Sequence, residues 1–224
     1  MKNENNAPAA YNDLMENYIG NANIYCESGA GKASKKDYQG AIEDYSIALK
    51  INPGDADIYY IRGFAKASLE DYKGAIADYT MATVINPMDA TSYLNSGMLR
   101  FELQDYRGAI ADFTRVLDID PTYKSVYAFR GASKSNLEQY RDGIADLTKA
   151  LEIDPEYAWG YLYRGIARIG IRDNTGALAD LNKAIEIDPK FTQAYYSRGL
   201  LRLELGQQAS GCLDLNIASD LGEI

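Results

Sequence analysis

The sequence predicts an all-α protein, a solenoid of antiparallel helix pairs, on three observations. Pro53, Pro87, Pro121, Pro155 and Pro189 stand 34 residues apart, and only Pro8 lies off this grid. Tyr25, Tyr59, Tyr93, Tyr127, Tyr161 and Tyr195 keep the same step, with Gly29, Gly63, Gly97, Gly131, Gly165 and Gly199 four residues behind them. Asp44, Asp78, Asp112, Asp146, Asp180 and Asp214 form a third unbroken column. A fixed period of this size marks stacked helical repeats, each burying its apolar face on its neighbours. Six units follow, at 22–55, 56–89, 90–123, 124–157, 158–191 and 192–224.

Ahead of the repeats, residues 1–10 are rich in Asn and Ala and predict a disordered tail. Tyr11 to Ile19 can form a short helix with Leu14 and Tyr18 on one side. Such a helix would cap the open edge of the first repeat, which a solenoid needs. The alternative is that residues 1–21 fold back into the groove as an internal mimic of a ligand.

Repeat 56–89 serves for the rest. Tyr59, Arg62, Gly63 and Lys66 recur at three- and four-residue steps, one face of a helix expected from about Asp57 to Leu69. Asp71 then stands as an N-cap, accepting from free amides of the next turn. Asp37, Asp105 and Asp173 repeat that signal, while Gln139 and Gln207 lose it. The second helix is expected from about Tyr72 to Ile85, with Ala75, Ile76, Tyr79 and Ala82 inward. Pro87 ends it, lacking the amide and restricting its predecessor. Gly63 faces Ala75, so the two backbones can approach closely. Gly40, Gly74, Gly108 and Gly176 also recur, in the first turn of the second helices, where propensity alone gives no reason for them.

This pattern resembles the tetratricopeptide repeat family over residues 22–224. The resemblance implies a right-handed superhelix of paired helices whose first helices line a concave groove for peptides or partner helices. The chain departs from the family in carrying Tyr where Trp is frequent, and Arg or Ser where Leu is frequent. Its last unit lacks the proline, and Gln208 replaces a tyrosine.

Two basic columns accompany the aspartates. Arg62, Arg130, Arg164 and Arg198 precede the glycines, with Ser28 and Ser96 in the other two places. Lys32, Lys66, Arg100, Lys134, Arg168 and Arg202 follow four residues later. They are expected to pair with the aspartates and brace the array rather than form a cationic stripe for a ligand. Asp112→Asn should then lower stability and leave partner binding intact. Acid pairs such as Glu43–Asp44 otherwise read as solvated charge.

The other face of each first helix is the candidate groove wall. Its residues are Tyr60, Ile61, Phe64, Leu94, Asn95, Met98, Phe101, Phe129, Trp159, Tyr163, Ile166 and Tyr196. Around them the same columns place Ala128, Ala132, Leu162 and Leu200. The wall carries large apolar groups and no lysine or arginine, and aromatic residues and Met are favoured anchors. About half should be core between neighbouring helices. Family members that clamp a carboxylate use basic residues and asparagines on this wall. Here only Asn95 matches, with Tyr60, Leu94, Ser125 and Phe129 in the other columns, so no carboxylate-clamped chaperone tail is expected. An apolar partner segment, neutral to mildly basic, suits the wall.

Composition narrows the rest. Net charge is −9, which repels phosphate backbones and argues against nucleic acid. There is no histidine, hence no His-based triad and none of the commonest metal ligand. No apolar run approaches the ~20 residues of a membrane helix. Met1 to Ala10 has no apolar core of a leader, which places the chain in the cytoplasm; a periplasmic or secreted origin stays open if a leader is removed. Cys26 and Cys212 are too far apart in sequence for a disulfide framework. Gly29-Ala30-Gly31-Lys32 looks like a phosphate loop but lacks the earlier glycine, Cys26 standing there, and any preceding strand. No cofactor motif is present. The sequence therefore predicts a non-enzymatic scaffold binding a partner peptide or amphipathic helix. The alternative is self-association through the groove or the apolar C-terminal edge, where Leu213, Leu215 and Leu221 lie; a small-ligand binder or enzyme is remote.

Overall fold

The computed structural model describes residues 7–222, with side chains from residue 21 onward. The described residues form twelve helices and no strand. In chain order these are α1 (Ala7–Ser34), α2 (Tyr38–Ile51), α3 (Ala56–Ser68), α4 (Tyr72–Ile85), α5 (Ala90–Glu102) and α6 (Tyr106–Ile119). They continue as α7 (Lys124–Asn136), α8 (Tyr140–Ile153), α9 (Ala158–Gly170), α10 (Asn174–Ile187), α11 (Thr192–Glu204) and α12 (Gln208–Asp220). This is the α-solenoid class, two helices to each 34-residue unit, with ends within a residue of those expected for α3 and α4. The chain divides into two compact units, one ending at Leu99 and the other beginning at Arg100.

The helix expected over Tyr11 to Ile19 falls inside α1, which at 28 residues is about twice the length of the other first helices. The side chains that would decide between cap and groove, Leu14 and Tyr18, lie outside the described residues. So do residues 1–6.

Each helix pair is closed by the same turn. In the second repeat the Asp71 amide donates to the Lys66 carbonyl and the Glu70 amide to the Ala67 carbonyl, both at 3.0 Å. These are the two bonds of a Schellman ending, which needs a left-handed residue between them. Glu70 supplies it at φ 63°, as do Lys36, Gln104, Glu138 and Arg172; only Gly206 is a glycine in this column. Asp71 then accepts from the Gly74 amide at 3.0 Å, and Asp37, Asp105 and Asp173 cap Gly40, Gly108 and Gly176 alike. Gln139 and Gln207 make no such cap.

The recurring first-turn glycines now have a cause. A Cβ at Gly74 would lie 2.1 Å from an Asp71 carboxylate oxygen, and at Gly108 2.2 Å from that of Asp105. The capping carboxylate occupies the space a side chain would need. Where the cap is Gln139 or Gln207, the glycine is replaced by Asp142 or Ser210.

Between repeats the chain turns on Asx geometry. The carboxylates of Asp120, Asp154 and Asp188 accept from amides two residues on, across the intervening prolines, at 2.9–3.0 Å.

The core is a column of small and large residues inside the helix pairs. Ala41, Ala48, Ala75 and Ala82 are fully buried with Tyr45 and Tyr79 in the first unit. Ala150, Ala177 and Ala184 are buried with Leu147 and Leu181 in the second. Each large side chain so buried contributes about 1.5–3 kcal/mol. A Cβ at Gly63 would meet the Tyr79 ring at 2.9 Å and the Ala75 carbonyl at 3.3 Å, so this glycine sets the α3–α4 approach.

Candidate functional site

The basic and acidic columns join inside the helix pairs. Arg62 donates from Nε and Nη2 to the two carboxylate oxygens of Asp78, at 2.9 and 2.7 Å. Its remaining nitrogen reaches Ser46 on the preceding second helix at 3.1 Å. Lys66 closes on the same aspartate at 2.8 Å. Arg130 and Lys134 on Asp146, Arg164 and Arg168 on Asp180, and Arg198 and Arg202 on Asp214 repeat this arrangement. Arg100 lies 3.2 Å from Asp112.

These charges are braces inside the helix pairs. Each guanidinium of Arg62, Arg130, Arg164 and Arg198 also lies 5.3–5.6 Å over the ring of the tyrosine three residues before it. In these four repeats the Tyr and Arg departures from the family pattern act together as a stacked cation. Asp44 corrects the reading of Glu43–Asp44 as a solvated pair: Glu43 is exposed, but Asp44 is buried, bonded by Lys32 at 2.8 Å and Ser28 at 2.7 Å. The Lys32 ammonium first, and then the Ser28 hydroxyl, hold its carboxyl below the usual carboxylate range.

With the braces removed, the remaining face of the first helices is the candidate wall. In the first unit Phe64 and Met98 are 52% and 43% exposed. Tyr60 is half-buried with its ring 5.8 Å from Tyr79, Ile61 packs on the core, and Leu94 and Asn95 are half-buried. In the second unit Trp159, Ile166 and Tyr196 are 40–42% exposed and Leu200 45%.

Phe101 and Phe129 belong to the packing instead. Phe129 stacks on buried Phe113 at 5.9 Å and meets Phe101 edge-on at 5.6 Å. Trp159 lies against Tyr163 at 5.6 Å and Phe191 at 4.7 Å, which fixes its ring while leaving an edge in solvent. Ala128, Ala132 and Leu162, in the same columns, are core. So Phe64, Met98, Trp159, Ile166 and Tyr196 form the accessible part of the twelve, each within its own unit.

One part of this face was not foreseen. Around Tyr140 the second unit opens two adjoining clefts, each of about 410 Å³. One is bordered by Ser135, Asn136, Ile166, Ile169 and Gly170, the other by Gln139, Arg141, Asp142 and Ile171; Glu138 and Tyr140 border both. The available signal was departure from the repeat, since Gly170 and Asp142 both break their columns.

Among the described residues no group of His, Cys, Asp or Glu could hold a metal ion, and no helix is long and apolar enough to cross a membrane. Cys26 and Cys212 are free thiols, half-buried and exposed.

Comparison with known proteins places this geometry. Residues 32–69 and 173–206 match a family model described as a TPR repeat, and residues 90–123 and 125–157 one described as a tetratricopeptide repeat. No curated protein matches the sequence. A tetratricopeptide repeat protein from Parabacteroides merdae superposes with a TM-score of 0.80 at 20% identity, over 92% of this chain and 81% of that one. MamA gives 0.71 at 24% identity, over 76% and 93%. YrrB, described as a TPR protein with an unusual peptide-binding site, gives 0.63 at 21% identity, over 80% and 92%. At these identities the likeness is one of fold.

Proposed function

This chain belongs to the tetratricopeptide repeat family, and from that premise we propose that it is a non-enzymatic scaffold that holds a segment of another protein on the accessible face of its first helices. The observation that carries the reading is the set of large apolar side chains left exposed beside a well-packed interior: Phe64 and Met98 in one unit, Trp159, Ile166, Tyr196 and Leu200 in the other. Large anchors on a rigid helical face are what helix-in-groove recognition uses. The absence of lysine and arginine from the twelve wall residues favours an apolar segment, neutral to mildly basic, over an acidic one. The peptide-binding site of YrrB, on the same fold, is consistent with this use.

Self-association is the second reading, favoured by Leu213, which is 58% exposed on α12.

Affinity capture with the wild type and a Phe64→Glu/Trp159→Glu variant tests the scaffold reading. Partners captured by the wild type should be lost from the folded variant; undiminished capture overturns the face. Phe129→Glu would be a poor choice, because it would disrupt packing on Phe113. Light scattering across a concentration series tests the second reading: a constant monomer mass excludes it.

A further inference from the structure

Three departures from the repeat converge on Tyr140. The column of Gly170 holds Ser34, Ser68, Glu102, Asn136 and Glu204 elsewhere, so only here is it a glycine. A Cβ at Gly170 would lie 2.4–2.6 Å from three atoms of the Tyr140 ring, which therefore rests where a side chain would otherwise stand. The column of Asp142 is glycine in four repeats, and Gln139 replaces the capping aspartate of four repeats. The last repeat shares the loss of the aspartate cap and of the glycine, with Gln207 and Ser210, so the Gly170 exchange is the change peculiar to this place.

These residues border two open clefts. One cleft is bordered by Gly170, Ile166 and Ile169; its neighbour is bordered by Asp142, and Glu138 and Tyr140 border both. Glu138 and Asp142 are exposed, with no ion pair to either among the described residues, and Arg141 stands on the same border. The local field is net negative, within a chain of net charge −9 that attracts cations. Each cleft, at about 410 Å³, lies in the range of ligand sites and is larger than one side chain requires.

We propose that the clefts around Tyr140 form a subsite for a partner segment in which a large apolar side chain adjoins a lysine or arginine. The apolar side chain enters beside Ile166 and Ile169, against the Tyr140 ring, and the cation sits at Glu138 and Asp142. This rests on the scaffold reading and assigns the specificity of one part of that face. Charge complementarity selects the occupant, because an acidic segment would meet the two exposed carboxylates of Glu138 and Asp142.

The test is selection of 12-residue peptides from a random display library on the full chain, followed by binding measurements on folded variants. Selected peptides should carry an apolar residue beside a basic one. Gly170→Ser, which pushes Tyr140 into the cleft, should weaken them at least 10-fold. The surface exchange Glu138→Lys/Asp142→Lys should do the same, and exchanging the peptide's basic residue for glutamate should restore binding. Peptides lost on Trp159→Glu but indifferent to Gly170→Ser and to the charge exchange overturn the subsite and leave the scaffold reading standing. Peptides indifferent to all of these variants, or no selected peptides, overturn both.

Discussion

Arg198 grips Asp214 through both carboxylate oxygens, at 2.8 Å from Nε and 2.7 Å from Nη2. Its third nitrogen donates to Asn182 at 2.6 Å. Arg198 stands sixteen residues from each partner, so one side chain ties its own helix pair together and ties that pair to the one before.

The brace in the fifth repeat gives a direct stability test. Arg164–Asp180 and Lys183–Glu186 are both 2.8 Å long, but Asp180 has a side chain only 4% exposed against 69% for Glu186. Asp180→Asn leaves the Arg164 guanidinium without its carboxylate and should cost about 3 kcal/mol. Glu186→Gln should leave the unfolding midpoint unchanged within error. Urea unfolding of the two variants checks both.

Two glycines should respond in opposite directions. A Cβ at Gly131 would meet the Gly143 carbonyl oxygen and the Leu147 Cγ, each at 2.8 Å. Gly131→Ala should destabilise by about 1–3 kcal/mol, because a backbone atom cannot give way cheaply. Gly31, exposed within α1, has nothing within 4 Å of a built Cβ. Gly31→Ala should stabilise by about 0.5–1 kcal/mol, which thermal melts would resolve.

The left-handed turn column offers a further gain. Glu70 sits at φ 63°, where an L side chain crowds its own backbone and glycine does not. Glu70→Gly should raise stability by about 1 kcal/mol. An unchanged or lower urea midpoint would count against this account of the turn.

Stability should be flat from about pH 5 to 8, because no histidine titrates there and burial pushes the Cys26 thiol up. The Asp44 carboxyl lies below its ordinary value in the fold, held first by Lys32. Its contribution is therefore complete above about pH 4 and is lost as the pH falls through the folded value. Burial pushes the Tyr45, Tyr79 and Tyr163 phenols up. Their contribution is full below about pH 10 and is lost as the pH rises above it. Melting temperature against pH should show this plateau, and in Asp44→Asn the acid slope should be shallower.

Features that recur in every repeat were legible in the sequence, because the same burial problem is solved at each step. Gly63, Asp78 and the Asp71 cap stand where the periodicity put them. The Gly74 column was visible as a pattern, but its cause was not, since the cause is the space taken by the Asp71 carboxylate. The wall was legible only as a face. Phe64 and Phe129 look alike in the sequence, yet one is half in solvent and the other stacks on Phe113, a residue sixteen positions away. The Tyr140 clefts depend on how a ring settles over a bare backbone, which no single column encodes.

The braces join residues only twelve or sixteen apart, and each helix pair closes through a turn of a few residues. Chains dominated by such short-range contacts fold fast. The contacts within a helix pair of this kind can therefore form early, while its apolar face stays open until the next pair stacks on it. Each finished pair then presents a hydroxyl or amide oxygen, such as Thr148 or Asn182, that the arginine of the next repeat can grasp. The array is suited to being assembled in the order in which it is synthesised.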